Sequence, residues 1–116
     1  MPQERKPKPF DLKSYLKNAL RRASYRHSAR SEALRKARVA RNTYTCAACN
    51  KLFPNKEVNV DHIDPVVPIT GFTTWDDYIA RLFCGPEGLQ VLCDQDHSTK
   101  SKQENAQRRE HKRRAA

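Results

Sequence analysis

The sequence has no apolar run near the roughly 20 residues that cross a bilayer. Its first ten residues, MPQERKPKPF, carry charges and prolines where a secretory signal needs an apolar stretch. Membrane insertion and export are not expected, and the cytoplasm is the expected compartment. Apolar residues are scarce, at 37% of 116, with a mean hydropathy of −0.93. That supports one modest core and excludes a large multi-domain enzyme. Acidic residues are also in short supply, 13 against 23 Lys and Arg, for a net charge of +10. So cationic a chain expects a polyanionic partner, with nucleic acid foremost. There is no internal repeat. In a reducing compartment the four cysteines do not read as a disulfide framework, which leaves metal binding or plain burial.

The charge is unevenly laid out. Residues 1–44 hold 13 Lys and Arg and 3 Asp and Glu, residues 45–97 hold 3 and 8, and residues 98–116 hold 7 and 2. An acidic centre between basic ends suggests a carboxylate-bearing site whose flanks grip a phosphate backbone. The alternative is that the basic runs are solvated helix faces. Arg21, Arg22, Arg26, Arg30, Arg38 and Arg41 in the first segment are candidate phosphate contacts, as are Arg108 and Arg109 in the last.

From Asp11, a predicted N-cap, the residues Leu12, Leu16, Ala19, Leu20 and Ala23 recur at helical spacing. The pattern lapses at Ser24–Ser28 and resumes with Ala29, Ala33, Leu34 and Ala37, capped by Ser28 or Ser31. This stripe is thin and rich in alanine, so the arm is not expected to fold alone. Beyond Asn42 the composition shifts to β-branched and aromatic residues, a Cys pair and prolines, which read as short strands and loops. Thr74-Trp75-Asp76-Asp77 has capping-box form and opens a helix of about ten residues that Gly85-Pro86 ends. Its aromatic stripe reads as core. Leu89–Leu92 alternates as a strand, and Ser98–Ala116, lacking Gly and Pro, favours a helix. The divisions are a basic arm over 1–44, a core over 45–112 and a basic tail over 113–116.

Three constellations carry chemistry. Cys46-x-x-Cys49 lets two thiolates converge on one ion, and Cys93 from a distant strand end can join them in a structural zinc site. The fourth ligand is open between Asp96, Cys84 and His97, and buried idle thiols are the competing reading. In Val60-Asp61-His62-Ile63-Asp64-Pro65, adjacent strand side chains diverge, so a carboxylate and an imidazole can reach two sides of one phosphodiester. Water must attack phosphorus from one side while the sugar oxygen leaves from the other. His62 suits the base, because an imidazole takes up protons near neutral pH, and Asp61 suits a hard ion such as Mg²⁺. The plain alternative is a hydrogen-bonded surface pair. The third is His97-Ser98-Thr99-Lys100, where a helix start favours phosphate and His97 and Lys100 share a face. Read alone, His97 is a helix-start histidine.

In this order, C-x-x-C, V-D-H-I-D-P, and G-L-Q-V-L-C with D-H-S-T-K resemble the HNH endonuclease family, and Tyr44 to Asn105 is similar to its small bacteriophage members. The resemblance covers about half the chain strongly. It implies an α+β protein with a ββα-metal core and a zinc-ribbon-like Cys site, preceded by the basic helical arm, acting on DNA in the host cytoplasm. It makes His62 the general base, Asp61 and His97 the ligands of a catalytic Mg²⁺ or Mn²⁺, and Lys100 a phosphate contact. Cys46, Cys49 and Cys93 would match three zinc ligands. Two departures stand out. Asp96 occupies a position that is usually cysteine, and Gly88 stands where the family has the asparagine that braces the catalytic loop, with Gln90 as a candidate substitute. The competing functions are a non-catalytic zinc-ribbon nucleic-acid-binding protein and a basic structural component of a nucleoprotein particle.

Overall fold

A computed structural model describes residues 7–115. Residues 1–6, part of the charged start read above as unfit for a secretory signal, and Ala116 lie outside it. The described residues form a mixed α+β fold with four α-helices and two small antiparallel sheets. Among the described residues no helix is long and apolar enough to cross a membrane.

Helix α1, Leu12–Ser24, starts where the sequence expects it: Asp11 Oδ1 accepts from the Lys13 and Ser14 N–H groups at 3.1 and 3.3 Å. These bonds at an exposed helix start hold the Asp11 carboxyl below its usual range, the Ser14 hydroxyl contributing most. The predicted apolar stripe is only half covered. Leu12 and Leu16 are exposed, while Ala19 and Leu20 are half-buried. What anchors α1 is Tyr78, 1% exposed, whose hydroxyl donates to Lys17 O at 3.3 Å.

Helix α2, Ser28–Ala37, is capped by neither Ser28 nor Ser31: its N-cap is His27, which makes no side-chain cap bond. That ring turns the other way, and Nε2 lies 3.1 Å from the carbonyl of Cys84. Because Ala29 and Ala33 end in a methyl, the backbone of α2 packs close against Leu89, Val60 and Cys84. The thin alanine stripe is thus the joint between arm and core. The chain then enters β1, Arg38–Ala40, and β2, Thr43–Thr45, without a linker, so β2 straddles the division expected at 44/45.

β3, Leu52–Phe53, pairs with β2, and the C-x-x-C turn lies between them. Asn50 adopts φ 60 there, a conformation asparagine tolerates, and its N–H returns to Cys46 O at 2.9 Å. β4, Val58–His62, pairs with β5, Leu89–Cys93, from Val58 opposite Cys93 to His62 opposite Leu89. Alternation puts Asn59 and Asp61 on one face, and Val60 and His62 on the other.

Half of the predicted box forms at the start of α3, Trp75–Leu82: Asp77 N–H donates to Thr74 Oγ1 at 3.1 Å, while the Asp77 carboxylate accepts from Thr73 Oγ1 and Arg81 Nε. At eight residues this helix is slightly shorter than expected. Helix α4, Asp94–Ala115, begins four residues before the expected Ser98. Asp94 and Asp96 suit the positive end of a helix, and Asn59 Nδ2 fixes Asp94 Oδ1 at 2.7 Å. His97 therefore sits in the first turn rather than opening the helix. No residue of α4 is fully buried, and residues 111–115 are all exposed.

Candidate metal centre and active-site cleft

The C-x-x-C turn, the end of β5 and the first turn of α4 meet at one corner. Donor atoms of Cys46, Cys49, Cys93 and Asp96 all lie within 4.8 Å of one another, so the four residues could hold a metal ion. Asp96 Oδ2 is 3.2 Å from Cys46 Sγ and 3.3 Å from Cys93 Sγ. Of the three fourth-ligand candidates, Asp96 joins the thiols. Cys84 instead packs against the Ala29, Ala33 and Leu89 cluster, and His97 turns toward Asp61.

The electrostatics of this corner fit a cation. Burial opposes ionisation of Cys46, but the N–H groups of Cys49, Cys93 and Ala48 aimed at its sulfur overcome that, so its pKa is lowered. The Lys51 N–H favours the Cys49 thiolate, yet desolvation, Asp96 and Cys46 together push that thiol up to about 11. Burial likewise raises Cys93, against the Asp96 N–H. Protein donors invite one thiolate while negative neighbours resist the rest. A divalent ion removes that conflict, and three sulfurs with one carboxylate oxygen suit zinc. The corner is largely closed, with Cys46 0% and Cys93 4% exposed.

The second group of donors lies along the free edge of β4. An open cleft of about 640 Å³ is lined by Asp61, His62 and His97, and by Arg21, Arg30 and Arg108 from three helices. Asp61 faces α4. Its Oδ2 accepts from Gln90 Nε2 at 3.1 Å and from Lys100 Nζ at 3.0 Å. Its Oδ1 lies 3.8 Å from His97 Nε2. Metal–ligand bonds of about 2.1 Å reach across such a gap, so this oxygen and nitrogen fit one hard or borderline ion between them.

His62 points from the opposite face, and its Nε2 is 3.0 Å from the carbonyl of Leu82. A carbonyl oxygen only accepts, so Nε2 carries the proton and the lone pair of the neutral ring is on Nδ1. Among the described residues nothing donates to Nδ1, and no unpartnered side-chain nitrogen or oxygen is buried, so Nδ1 reaches solvent.

Gly88 has a packing reason. A Cβ there would meet Cys84 Sγ at 2.8 Å, so an asparagine would have to displace the Cys84 side chain. The Gly88 carbonyl instead accepts the Ile63 N–H at 3.0 Å and holds the chain just past His62.

Of the expected phosphate contacts, Arg21 and Arg30 line the cleft, whereas Arg22, Arg26, Arg38, Arg41 and Arg109 are exposed away from its lining. Arg108 lines it too, but spends Nη2 on Val67 O at 2.7 Å and so pins the loop after β4. Lys100 is fully engaged, with Glu104 Oε1 at 2.8 Å and His62 O at 2.9 Å besides Asp61. Burial works against its charge, but Glu104 and Asp61 outweigh it and raise its pKa. Sequence reading missed Glu104. Its four-residue spacing from Lys100 along a helix was the available signal.

No protein-family model, no curated protein and no solved structure matches this chain.

Proposed function

We propose that this protein is a metal-dependent DNA endonuclease of HNH type, its catalytic unit formed by β4, β5 and α4. The observation that carries the reading is the cleft: a carboxylate oxygen and an imidazole nitrogen 3.8 Å apart, with a second imidazole whose free nitrogen reaches solvent, in a groove that three guanidinium groups line.

His62 Nδ1 takes a proton from a water molecule, and the water oxygen forms a bond to phosphorus as the bond to the 3′ oxygen breaks. Leu82 O holds the ring in place through this step. Asp61 and His97 would hold the divalent ion. When bound, Mg²⁺ or Mn²⁺ supplies positive charge to the leaving oxygen, and the mixed oxygen and nitrogen donors suit Mn²⁺ at least as well as Mg²⁺. Arg21 and Arg30 receive the flanking phosphates, and the exposed arginines of the arm and α4 add sequence-independent attraction. Zinc on Cys46, Cys49, Cys93 and Asp96 would add a staple to a small core.

Purified protein is expected to nick plasmid DNA with Mg²⁺ or Mn²⁺ and to stop on chelation. His62→Ala is expected to cut at least about 100-fold more slowly while binding DNA nearly as well. Cutting by His62→Ala at the wild-type rate sinks the mechanism. A second reading, a zinc-ribbon DNA- or RNA-binding protein without catalysis, is favoured by Lys100, which already balances the charge of Asp61. That reading expects binding with no metal-dependent cutting by the wild type.

A further inference from the structure

Lys100 was expected to touch DNA, yet its ammonium lies within 3.0 Å of three protein oxygens: Asp61 Oδ2 at 3.0 Å, Glu104 Oε1 at 2.8 Å and His62 O at 2.9 Å. It donates to Glu104 and His62 O and is ion-paired with Asp61, so its charge is already met inside the protein. The three oxygens come from different parts of the site: the proposed ion ligand, the backbone of the proposed base, and the next turn of α4. With Gln90 on the same Asp61 oxygen, Lys100 saturates Oδ2 and leaves Oδ1 toward His97. With the Ile63 N–H on Gly88 O, it fixes the backbone on both sides of the His62 carbonyl.

Charge explains why Glu104 accompanies it. An ammonium 3.0 Å from a carboxylate weakens that carboxylate's hold on a divalent ion. The Glu104 carboxylate restores a negative charge 2.8 Å from Nζ, and both side chains are mostly buried, 23% and 18% exposed.

Resting on the nuclease reading, we propose that Lys100 and Glu104 are a positioning pair, which ties the Asp61 carboxylate to the His62 backbone and makes no contact with DNA. The pair does the bracing for which Gly88 has no side chain.

The test uses full-length protein with its zinc content verified, a duplex oligonucleotide for kinetics, and Mn²⁺ alone for binding. Lys100→Met is expected to lower kcat about 10- to 100-fold, the usual range for partners behind metal ligands. It should leave KM within about twofold and bind Mn²⁺ more tightly, since a neighbouring positive charge is gone. Glu104→Gln should lower kcat and bind Mn²⁺ more weakly. The double variant should regain near wild-type Mn²⁺ affinity without regaining kcat. A raised KM with kcat kept, and a salt dependence of binding shallower by about one phosphate contact, would overturn the proposal in favour of a phosphate contact. If Lys100→Met loses its zinc or its helicity, Glu104→Gln decides alone, and unchanged kcat and Mn²⁺ affinity there also overturn it. If wild-type protein cuts no DNA, the nuclease reading falls separately. Mn²⁺ titration then judges the pair, and equal affinities in wild type and Lys100→Met sink it.

Discussion

The sulfur corner and the β4 cleft share β5 and α4, and they differ in nearly every physical respect. The corner gathers three thiols and a carboxylate, buries Cys46 and Cys93 while leaving Cys49 and Asp96 half-buried, and directs backbone N–H groups at sulfur. The cleft gathers a carboxylate and imidazoles, stays open, and fixes its carboxylate with side chains that carry charge. Closed sites with a full ligand set hold structure, whereas sites with open positions exchange ligands. In the proposed nuclease, one small unit would separate holding from turnover by giving each to a different end of β5.

The largest break in this comparison is expected from Cys46→Ala. Cys46 is fully buried and central to its cluster with Leu92 and Cys93. Its loss should abolish zinc binding, read by metal analysis, and with it most of the cooperative thermal transition, because such binding energy is folding energy. A transition within a few degrees of wild type would show that the corner is not the staple. Wild-type protein purified without chelator should carry close to one zinc, and less than about half an equivalent would argue that Asp96 disables the site.

A smaller effect is expected on the cleft side. Gly88→Asn forces a side chain into Cys84 and should cost about 1–3 kcal/mol in denaturant unfolding. Adding Cys84→Ala should recover part of that. If Gly88→Asn is neutral, crowding by Cys84 is not what excludes asparagine. The mildest change sharpens the contrast: Asp96→Cys completes a four-sulfur set and should resist chelators better than wild type, measured by competition with a zinc indicator, with plasmid cutting little altered. Weaker zinc retention would remove Asp96 from the ligand set.

Much of this was legible in the sequence where the signal is local. The Asp11 cap, the Thr74 box, the Leu89 strand and the C-x-x-C turn each follow from residues within a few positions of one another. The spacing of Cys93 and Asp96 likewise pointed to the corner. The start of α4 was less legible: Asp94 and Asp96 suit the positive end of a helix, a signal that a start at Ser98 passes over. Periodicity gave α1 an apolar stripe but not what covers it, and Leu12 and Leu16 stay exposed. The contacts that define the cleft, Lys100 to His62 O, His62 to Leu82 O and Ala29 to Leu89, join residues far apart in the chain, and no local pattern encodes them.

Asp96 and His97 are consecutive on α4, and at 3.6 residues per turn their side chains leave the helix about 100° apart. One bends into the sulfur corner and the other into the cleft. That single turn therefore carries a candidate ligand of each site. In the proposed nuclease, losing the soft ion at Asp96 would loosen the first turn of α4 and with it the His97 ligand of the hard ion, so chelating zinc would also cost the cleft its cation.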